Sequence, residues 1–129
     1  MSGPPTFLHS SLAVALGGGA GAWLRFAVGR MVGASAFPWA TLLVNVTGSF
    51  AMGLLVGWLA RHGSGGEGTR LLLGVGLLGG FTTFSAFSLE LVNLAHRGSL
   101  GLAFGYAAIS VFAGVAGLLL GHAAMRALA

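Results

Sequence analysis

Residues 79–90 read GGFTTFSAFSLE and lie inside an apolar run from about Leu71 to Ala95. Two adjacent glycines followed by two β-branched threonines, Thr82 and Thr83, are poor formers of a continuous helix. A helix that breaks there frees main-chain amides and carbonyls, and lipid cannot satisfy such groups. The pattern therefore predicts a broken helix whose free polar groups face protein, water or an ion.

The composition indicates that this broken helix lies in a membrane. Of the 129 residues, 56% are hydrophobic and only 6% are charged, whereas soluble domains carry about 25% charged residues. Apolar segments cover about residues 8–29, 38–60, 71–95 and 100–124, and a spanning helix needs about 20 apolar residues. We therefore predict an all-α membrane protein, a single transmembrane domain over residues 1–129 with four transmembrane helices, the third broken at mid-membrane.

The inventory of charged residues excludes several classes of function. The chain has no Cys and no Asp, and its only acids are Glu67 and Glu90. Two acids are too few for a general acid–base pair within one chain, so we expect no enzymatic activity. The net charge of +4 comes from scattered Arg, whereas a nucleic-acid surface needs clustered bases. We therefore expect no nucleic-acid partner.

The arginines divide almost evenly between the two predicted sides of the membrane. The side that holds both termini has Arg61, Arg70 and Arg126, and the other side has Arg30, Arg97 and, near the end of its span, Arg25. Orientation follows the excess of Lys and Arg in short loops. The balance leaves two interpretations: a weak bias, or dual topology, in which copies insert both ways and pair antiparallel.

Glycines predict how the helices pack against one another. The chain has 24 Gly, and small residues let helices approach closely in lipid. We expect two packing faces, which consist of Gly48, Gly53 and Gly57 in the second span and Gly114, Gly117 and Gly121 in the fourth.

A row of polar side chains lies in the second span. Asn45 is about one third of the way into it, with Thr41 and Ser49 four residues to either side, so the three share a helix face. An intramembrane polar group is a functional candidate by default, yet an Asn can also join two helices by a hydrogen bond. Both interpretations, a polar pathway and a contact between helices, stay open here.

The third span offers a comparable choice. Phe84 and Phe87 share roughly one face, and Ser85 and Ser88 share a neighbouring one. One interpretation is a pair of core aromatics beside hydroxyls that bond to the carbonyl four residues earlier. The other is the wall of a pathway.

The donors inside the membrane indicate which ion such a pathway would suit. Tyr106 and Ser110 lie four residues apart on one face of the fourth span, and Arg25 lies in the first. An Arg at an aqueous vestibule attracts anions. With many hydrogen-bond donors and a single carboxylate, Glu90, the spans suit a small anion better than an organic cation.

At these residues the chain resembles the Fluc (CrcB) family of bacterial fluoride channels. The resemblance is carried by GGGAGAWLRF at residues 17–26, TLLVNVTGSF at residues 41–50 and GGFTTFSAFSLE at residues 79–90, and it runs through all four predicted spans. It implies a fluoride-selective channel of the bacterial inner membrane through which fluoride leaves the cell. It also implies an antiparallel, dual-topology homodimer with two pores.

The resemblance also implies roles for individual residues. The implied fluoride pathway consists of Thr41, Asn45, Phe84, Ser85, Phe87, Ser88, Tyr106 and Ser110, with Arg25 at the vestibule. The carbonyls of Gly79 and Thr82 are implied to hold a structural Na⁺ at the dimer centre. Glu90 matches a glutamate in the third helix of the family. Ala86 stands where the family usually has Thr, so one hydroxyl of the pathway is missing.

Two alternative functions remain at this point. A small four-helix drug/proton antiporter also uses dual topology, but it needs a carboxylate in the first span, and this first span has none. A non-transporting assembly subunit would use the glycine faces for packing alone. Fluoride flux from purified protein in liposomes separates the three.

Overall fold

Helices form almost the whole of the protein, whose computed structural model describes residues 3–128. We label them α1 (Phe7–Val32), α2 (Trp39–His62), α3 (residues 67–81), α4 (Phe84–His96) and α5 (Leu100–Ala127). The Thr6 hydroxyl begins α1 by accepting a hydrogen bond from the His9 amide. Gly33 ends this helix with a φ of 78°, a left-handed conformation that Gly adopts without steric cost.

Three helical stretches within residues 3–128 are long and apolar enough to cross a membrane: Phe7–Val32, Trp39–His96 and Leu100–Ala127. The second contains 58 residues, far more than the ~20 that one crossing needs. It includes a 3₁₀ turn at Gly63–Gly66, which separates α2 from α3. The predicted all-helical membrane class is confirmed, while the number of crossings stays a prediction.

Contacts at the two ends of the molecule fix the helix directions. Arg61 at the end of α2 donates hydrogen bonds to the carbonyls of Met125 and Arg126 at the end of α5. Arg97, just before α5, donates to the carbonyl of Ala36, just before α2, at 3.4 Å. Helices α2 and α5 therefore run parallel to each other.

A glycine seam joins α2 to α5. A Cβ atom on Gly53 would collide with the Leu118 carbonyl, and one on Gly121 would collide with the Phe50 carbonyl. A Cβ atom on Gly57 would lie 2.8 Å from the Cβ atom of the Met125 side chain. The predicted packing of Gly53 and Gly121 is confirmed, since a side chain at either position would collide with the neighbouring backbone. Of the other predicted positions in these two faces, Gly117 lies near the Val46 carbonyl, Gly48 packs against Thr82 and Phe81, and Gly114 makes only an ordinary contact with Ser49.

A second parallel seam joins α1 to α3. Gly17 faces the carbonyl of Leu72, and Gly21 faces the carbonyl of Leu77. The two carbonyls are five residues apart because Arg70–Leu78 of α3 is a π-helix, in which bonds run from i to i+5. The five-residue repeat of α3 thus matches the four-residue repeat of α1.

The predicted break in the third helix lies at the threonines and not at the glycine pair. Gly79 and Gly80 are helical, whereas Thr82 and Thr83 have extended backbones with ψ of 155° and 118°. Gly80 is needed for a different reason, because a Cβ there would collide with the Gly18 carbonyl of α1. The β-branched threonines favour the extended conformation and interrupt the helix.

Candidate functional site

Asn45 holds the break through two hydrogen bonds. Its Nδ2 donates to the Thr83 carbonyl at 3.1 Å, and its Oδ1 accepts from the Thr83 amide at 2.7 Å. Gly48, one turn further along α2, lies against the Thr82 methyl group and the Phe81 ring, so α2 approaches the break closely. The amide and the carbonyl of Thr83 are therefore both satisfied by one side chain of a neighbouring helix.

The break redirects two amides that a continuous helix would use internally. In an α-helix the Thr83 amide would donate to the Gly79 carbonyl, and the Ala86 amide would donate to the Thr82 carbonyl. Here the first donates to Asn45 and the second donates to the Thr83 hydroxyl at 3.1 Å. The carbonyls of Gly79 and Thr82 are thereby released from these bonds, and they are the two that the family resemblance implies as Na⁺ ligands.

Arg25 lies against the break. Its Nε donates to the Gly80 carbonyl at 3.2 Å, which ties α1 to the last turn of α3. This bond gives the guanidinium a main-chain partner inside the membrane segment, where an unpaired charge is costly. This hydrogen bond is the contact observed for Arg25, and its role at a vestibule stays a prediction.

A cleft of about 290 Å³ opens beside the break, and we call it the middle cleft. Its polar lining comes from Asn45, Ser49, Thr82 and Thr83, and Phe84 stands at its side. The Phe84 side chain is 79% exposed, although it is large and apolar. The middle cleft thus combines hydrogen-bonding groups with an aromatic ring that is mostly exposed in the single chain.

Phe87 differs from Phe84 despite its place on the same helix. It is only 9% exposed, and its ring centroid lies 5.8 Å from that of Phe84 and 5.0 Å from that of Tyr106. The contact with Tyr106 is edge-to-face, which is a favourable arrangement of aromatic rings. Of the predicted aromatic pair, one ring is therefore a core residue within the chain, and the other is free.

The Glu90 carboxylate accepts hydrogen bonds from two hydroxyl groups, which lie on two other helices. Thr41 Oγ1 of α2 donates to Oε1 of Glu90 at 2.6 Å, and the Tyr106 hydroxyl of α5 donates to Oε2 at 2.7 Å. Short bonds of this kind are typical of charge-assisted hydrogen bonds. The carboxylate therefore links α2, α4 and α5 at one place. Thr41 and Asn45, which were predicted to share a helix face, thus bind different partners.

A second cleft, of about 200 Å³, lies at the end of the molecule where α2 and α5 begin, and we call it the end cleft. The connection at residues 33–38 lines it together with Thr41, Glu90, Asn93 and Arg97. Glu90, Asn93 and Arg97 occupy positions i, i+3 and i+7, the spacing of one helix face. This spacing is visible in the sequence, although Asn93 and Arg97 are not among the predicted site residues.

The three serine hydroxyls predicted in the pathway differ in their hydrogen bonding. Ser88 donates to the Phe84 carbonyl four residues earlier at 2.9 Å, as the alternative interpretation of the third span predicted. Ser85 lies 3.3 Å from the Thr83 hydroxyl instead. Within residues 3–128 the buried Ser110 hydroxyl has no hydrogen-bond partner, although buried polar atoms are normally paired. An unsatisfied hydroxyl of this kind is free to donate to a bound species.

Comparison with known protein families identifies the group to which this fold and this site belong. The family model described as CrcB-like protein, Camphor Resistance (CrcB), matches residues 12–122. The chain belongs to the CrcB family. The resemblance found in the sequence motifs is thereby confirmed.

Curated CrcB relatives are similar to this chain over nearly its whole length. The protein named fluoride-specific ion channel FluC from Novosphingobium aromaticivorans is 61% identical over 121 residues, which cover 90% of this chain and 95% of the relative. A FluC of Rhodospirillum centenum is 50% identical over 118 residues, which cover 89% and 94%. A FluC of Beijerinckia indica is 45% identical over 126 residues, which cover 94% and 99%.

Proposed function

We propose that this CrcB protein is a fluoride channel of the bacterial inner membrane that lets fluoride leave the cell and so lowers its cytoplasmic concentration. The observation that carries the proposal is the 61% identity, over 90% of this chain, to a protein named fluoride-specific ion channel. The relatives are named as ion channels, which agrees with the expectation that the chain is not an enzyme.

The chemistry of the two clefts supports this function. Fluoride is small and strongly hydrated, so a pathway must replace its water with hydrogen-bond donors. Asn45 and Ser49 line the middle cleft, Thr41 lines the end cleft, and the Ser110 hydroxyl has no partner among residues 3–128. The positive edge of an aromatic ring such as Phe84 can face the anion without holding it tightly. Conduction requires binding that is favourable but weak enough for release.

Antiparallel pairing of two copies is part of the proposal. The middle cleft of the single chain is open on one side, and the exposed Phe84 stands at its edge. A second copy on this face would complete the walls. The balanced arginines support insertion in both orientations, since neither side has an excess that would fix one orientation. Four crossings in each copy would then follow if the 58-residue stretch Trp39–His96 crosses twice.

Labelling of single cysteines tests the topology. A Cys placed at Ser64, in the turn between α2 and α3, should react with a membrane-impermeant maleimide from both sides of the membrane, in separate fractions of the protein. A Cys at Ser99, before α5, is the matched position at the opposite end. Reaction of each from one side only would exclude dual topology.

We also propose that the break holds a structural Na⁺ at the dimer centre. The carbonyls of Gly79 and Thr82 are released from their helical amides, as described above, and carbonyl oxygens suit hard cations. Two copies would supply four such oxygens. Exhaustive exchange of Na⁺ for a large organic cation should lower the stability of the dimer, and unchanged stability and flux would contradict the proposal.

Flux measurement in liposomes tests the function as a whole. Purified protein in vesicles loaded with potassium fluoride should release fluoride when valinomycin removes the opposing potential, as measured with a fluoride electrode. The antiporter alternative predicts that flux requires a proton gradient and an organic cation. The assembly-subunit alternative predicts no flux above that of empty vesicles.

A further inference from the structure

Tyr106, which the family resemblance assigns to the fluoride pathway, is sealed from the end cleft. Its side chain is 0% exposed within residues 3–128, although it hydrogen-bonds to Glu90, which lines that cleft. Phe37 also lines the cleft, and its ring lies edge-to-face on the Tyr106 ring, with 5.3 Å between the centroids. Phe37 therefore forms part of the wall between the open cleft and the buried residues behind it.

Phe37 is the part of this wall that no helix carries. Thr41 and Glu90, which also belong to the wall, lie on α2 and α4 and are joined by a hydrogen bond of 2.6 Å. Phe37 lies in the connection between α1 and α2, residues 33–38, which we call the strap. A segment with few backbone hydrogen bonds can move while the helices beside it stay folded. If the wall opens, Phe37 is thus the side chain that moves.

One hydrogen bond holds the strap across the end cleft in the part of the chain that the structure describes. Arg97 donates it to the Ala36 carbonyl at 3.4 Å, which is longer than a typical N–H···O bond. The Ser35 hydroxyl donates to the Phe37 carbonyl at 2.6 Å, so the half of the strap that carries the ring is braced internally. At the other end, Gly33 has a φ of 78°, and a Cβ there would meet nothing within 4 Å. The strap therefore has a free hinge at Gly33 and a weak latch at Arg97.

The Phe37 ring keeps an aromatic neighbour when it leaves Tyr106. Its centroid lies 4.6 Å from that of Trp39, whose side chain is 57% exposed at the start of α2. This contact joins residues two positions apart in the chain, so it does not depend on the wall. Opening therefore costs chiefly the contact with Tyr106 and the bond from Arg97.

We propose that the strap is a gate on the end cleft: it turns about Gly33 and lifts the Phe37 ring from Tyr106, which connects the cleft with the buried pathway. The bond from Arg97 to Ala36 holds the gate closed, and the structure shows the closed state. The inference rests on the proposed function, which requires a route for fluoride past this wall. A large apolar ring suits the task, because hydrophobic constrictions stop ions by excluding water.

A single cysteine behind the ring measures the opening directly. Ala103 is 9% exposed, lies one turn before Tyr106 on α5 and belongs to the same core cluster, and the chain has no Cys of its own. Ala103→Cys should react slowly with a small, charged methanethiosulfonate reagent. Adding Phe37→Ala should raise both the reaction rate and the fluoride flux about two- to tenfold, the range expected for the loss of one aromatic contact.

Asn93→Cys is the matched control for this measurement. Asn93 is exposed and lines the open cleft in front of the ring. Its cysteine should react quickly, and at the same rate with and without Phe37→Ala. Unchanged reactivity of Ala103→Cys together with unchanged or lower flux in a folded Phe37→Ala protein would overturn the inference.

Variants of Arg97 distinguish a moving ring from a fixed wall. Arg97→Ala leaves the Phe37 ring in place and removes the latch, so Ala103→Cys should react faster and the flux should rise. Arg97→Lys keeps a long side chain with N–H donors and should stay close to the wild type. If Arg97 merely attracts anions, Arg97→Ala should instead lower the flux and leave the reactivity of Ala103→Cys unchanged, and this result would overturn the gate. Because Arg97 is exposed, this pair also decides the matter if Phe37→Ala fails to fold.

Access and flux are separate measurements, so the two proposals can fail separately. If Ala103→Cys reacts faster in the Phe37 and Arg97 variants but the wild type passes no fluoride, the proposed function fails, and with it the role of the strap as a gate for fluoride. If the wild type conducts and neither variant changes the reactivity of Ala103→Cys, the gate alone fails.

Discussion

The glycine seams and the broken third span are held together by opposite means. At the seams, backbones meet with no side chain between them, as at Gly21 against the Leu77 carbonyl. Around the break, the main-chain groups are bonded instead by side chains of neighbouring helices, Asn45 of α2 and Arg25 of α1. The seam contacts named above involve main-chain and apolar atoms, whereas the break is lined by the polar side chains of Asn45, Ser49, Thr82 and Thr83. The difference separates a rigid frame from a polar interior that the frame keeps in place.

The largest effect is expected from a methyl group placed in a seam. Gly21→Ala would drive a Cβ into the Leu77 carbonyl and to 2.8 Å from the Phe81 amide. Overpacking typically costs about 1–3 kcal/mol, and backbone atoms on both sides leave little room to relax. The fraction of monodisperse protein in gel filtration should fall strongly.

Gly19→Ala is the matched control for this change. It lies in the same helix, and a Cβ there meets nothing within 4 Å. Alanine is also a better helix former than glycine, so the variant should be at least as stable as the wild type. If Gly19→Ala and Gly21→Ala lowered the fraction of monodisperse protein equally, the close backbone contact at Gly21 would not be the cause of the loss.

The next largest effect is expected at the break. Asn45→Ala would leave the amide and the carbonyl of Thr83 without their partner, and an unsatisfied buried group costs about 1–3 kcal/mol. Hydrogen exchange in residues 82–86 should accelerate, and fluoride flux should fall. Thr47→Val is the control, because the exposed Thr47 hydroxyl bonds only to the Leu43 carbonyl of its own helix. If exchange in this segment is unchanged in Asn45→Ala, the side chain does not hold the break.

The two phenylalanines should separate stability from flux. Phe87→Ile removes a buried ring that touches Tyr106, so thermal stability should fall by about 0.5–1.5 kcal/mol from the lost aromatic contact. Phe84→Ile changes a ring that is 79% exposed, so the stability of the single chain should hold. Its flux should nevertheless collapse if the ring edge faces fluoride. Near-native flux in a folded Phe84→Ile protein would remove the aromatic wall from the proposed pathway.

The smallest effect is expected for the hydroxyl of Thr82. This group donates to the Leu78 carbonyl at 2.9 Å, which also accepts the Thr82 amide at 3.0 Å. Thr82→Val keeps the methyl group beside Gly48 and removes only this second bond, so it should cost no more than ~1.5 kcal/mol. Removal of Na⁺ should have a larger effect on the dimer, and the reverse order would contradict a cation site built from main-chain oxygens.

The sequence was most informative where local chemistry decides the structure. Hydropathy predicts the all-helical membrane class, and the spacing of Gly53, Gly57 and Gly121 predicts a packing face, because both depend on residues a few positions apart. The exact position of the break was less accessible. Gly79 and Gly80 weaken a helix in isolation, yet both are helical here. Gly80 packs against the Gly18 carbonyl of α1, and that contact is not visible in the local sequence.

The candidate site was predictable as a set of residues but not as a set of partners. Asn45, Glu90 and Tyr106 were all singled out from composition, spacing or resemblance. Periodicity within α2 places Thr41 beside Asn45, but it cannot tell that the first binds Glu90 and the second binds Thr83. Such pairings depend on the relative rotation of three helices, which no single helix encodes.

The π-helix of α3 has a consequence for how sequences of this family are aligned. Because hydrogen bonds run from i to i+5, each turn of Arg70–Leu78 contains more residues than a turn of an α-helix. A homologue that lacks one residue here could keep Gly17 and Gly21 seated on the same turns by adopting regular α-helix. A one-residue gap in this segment would therefore mark a change in helix type, and the residues on either side of it would remain equivalent.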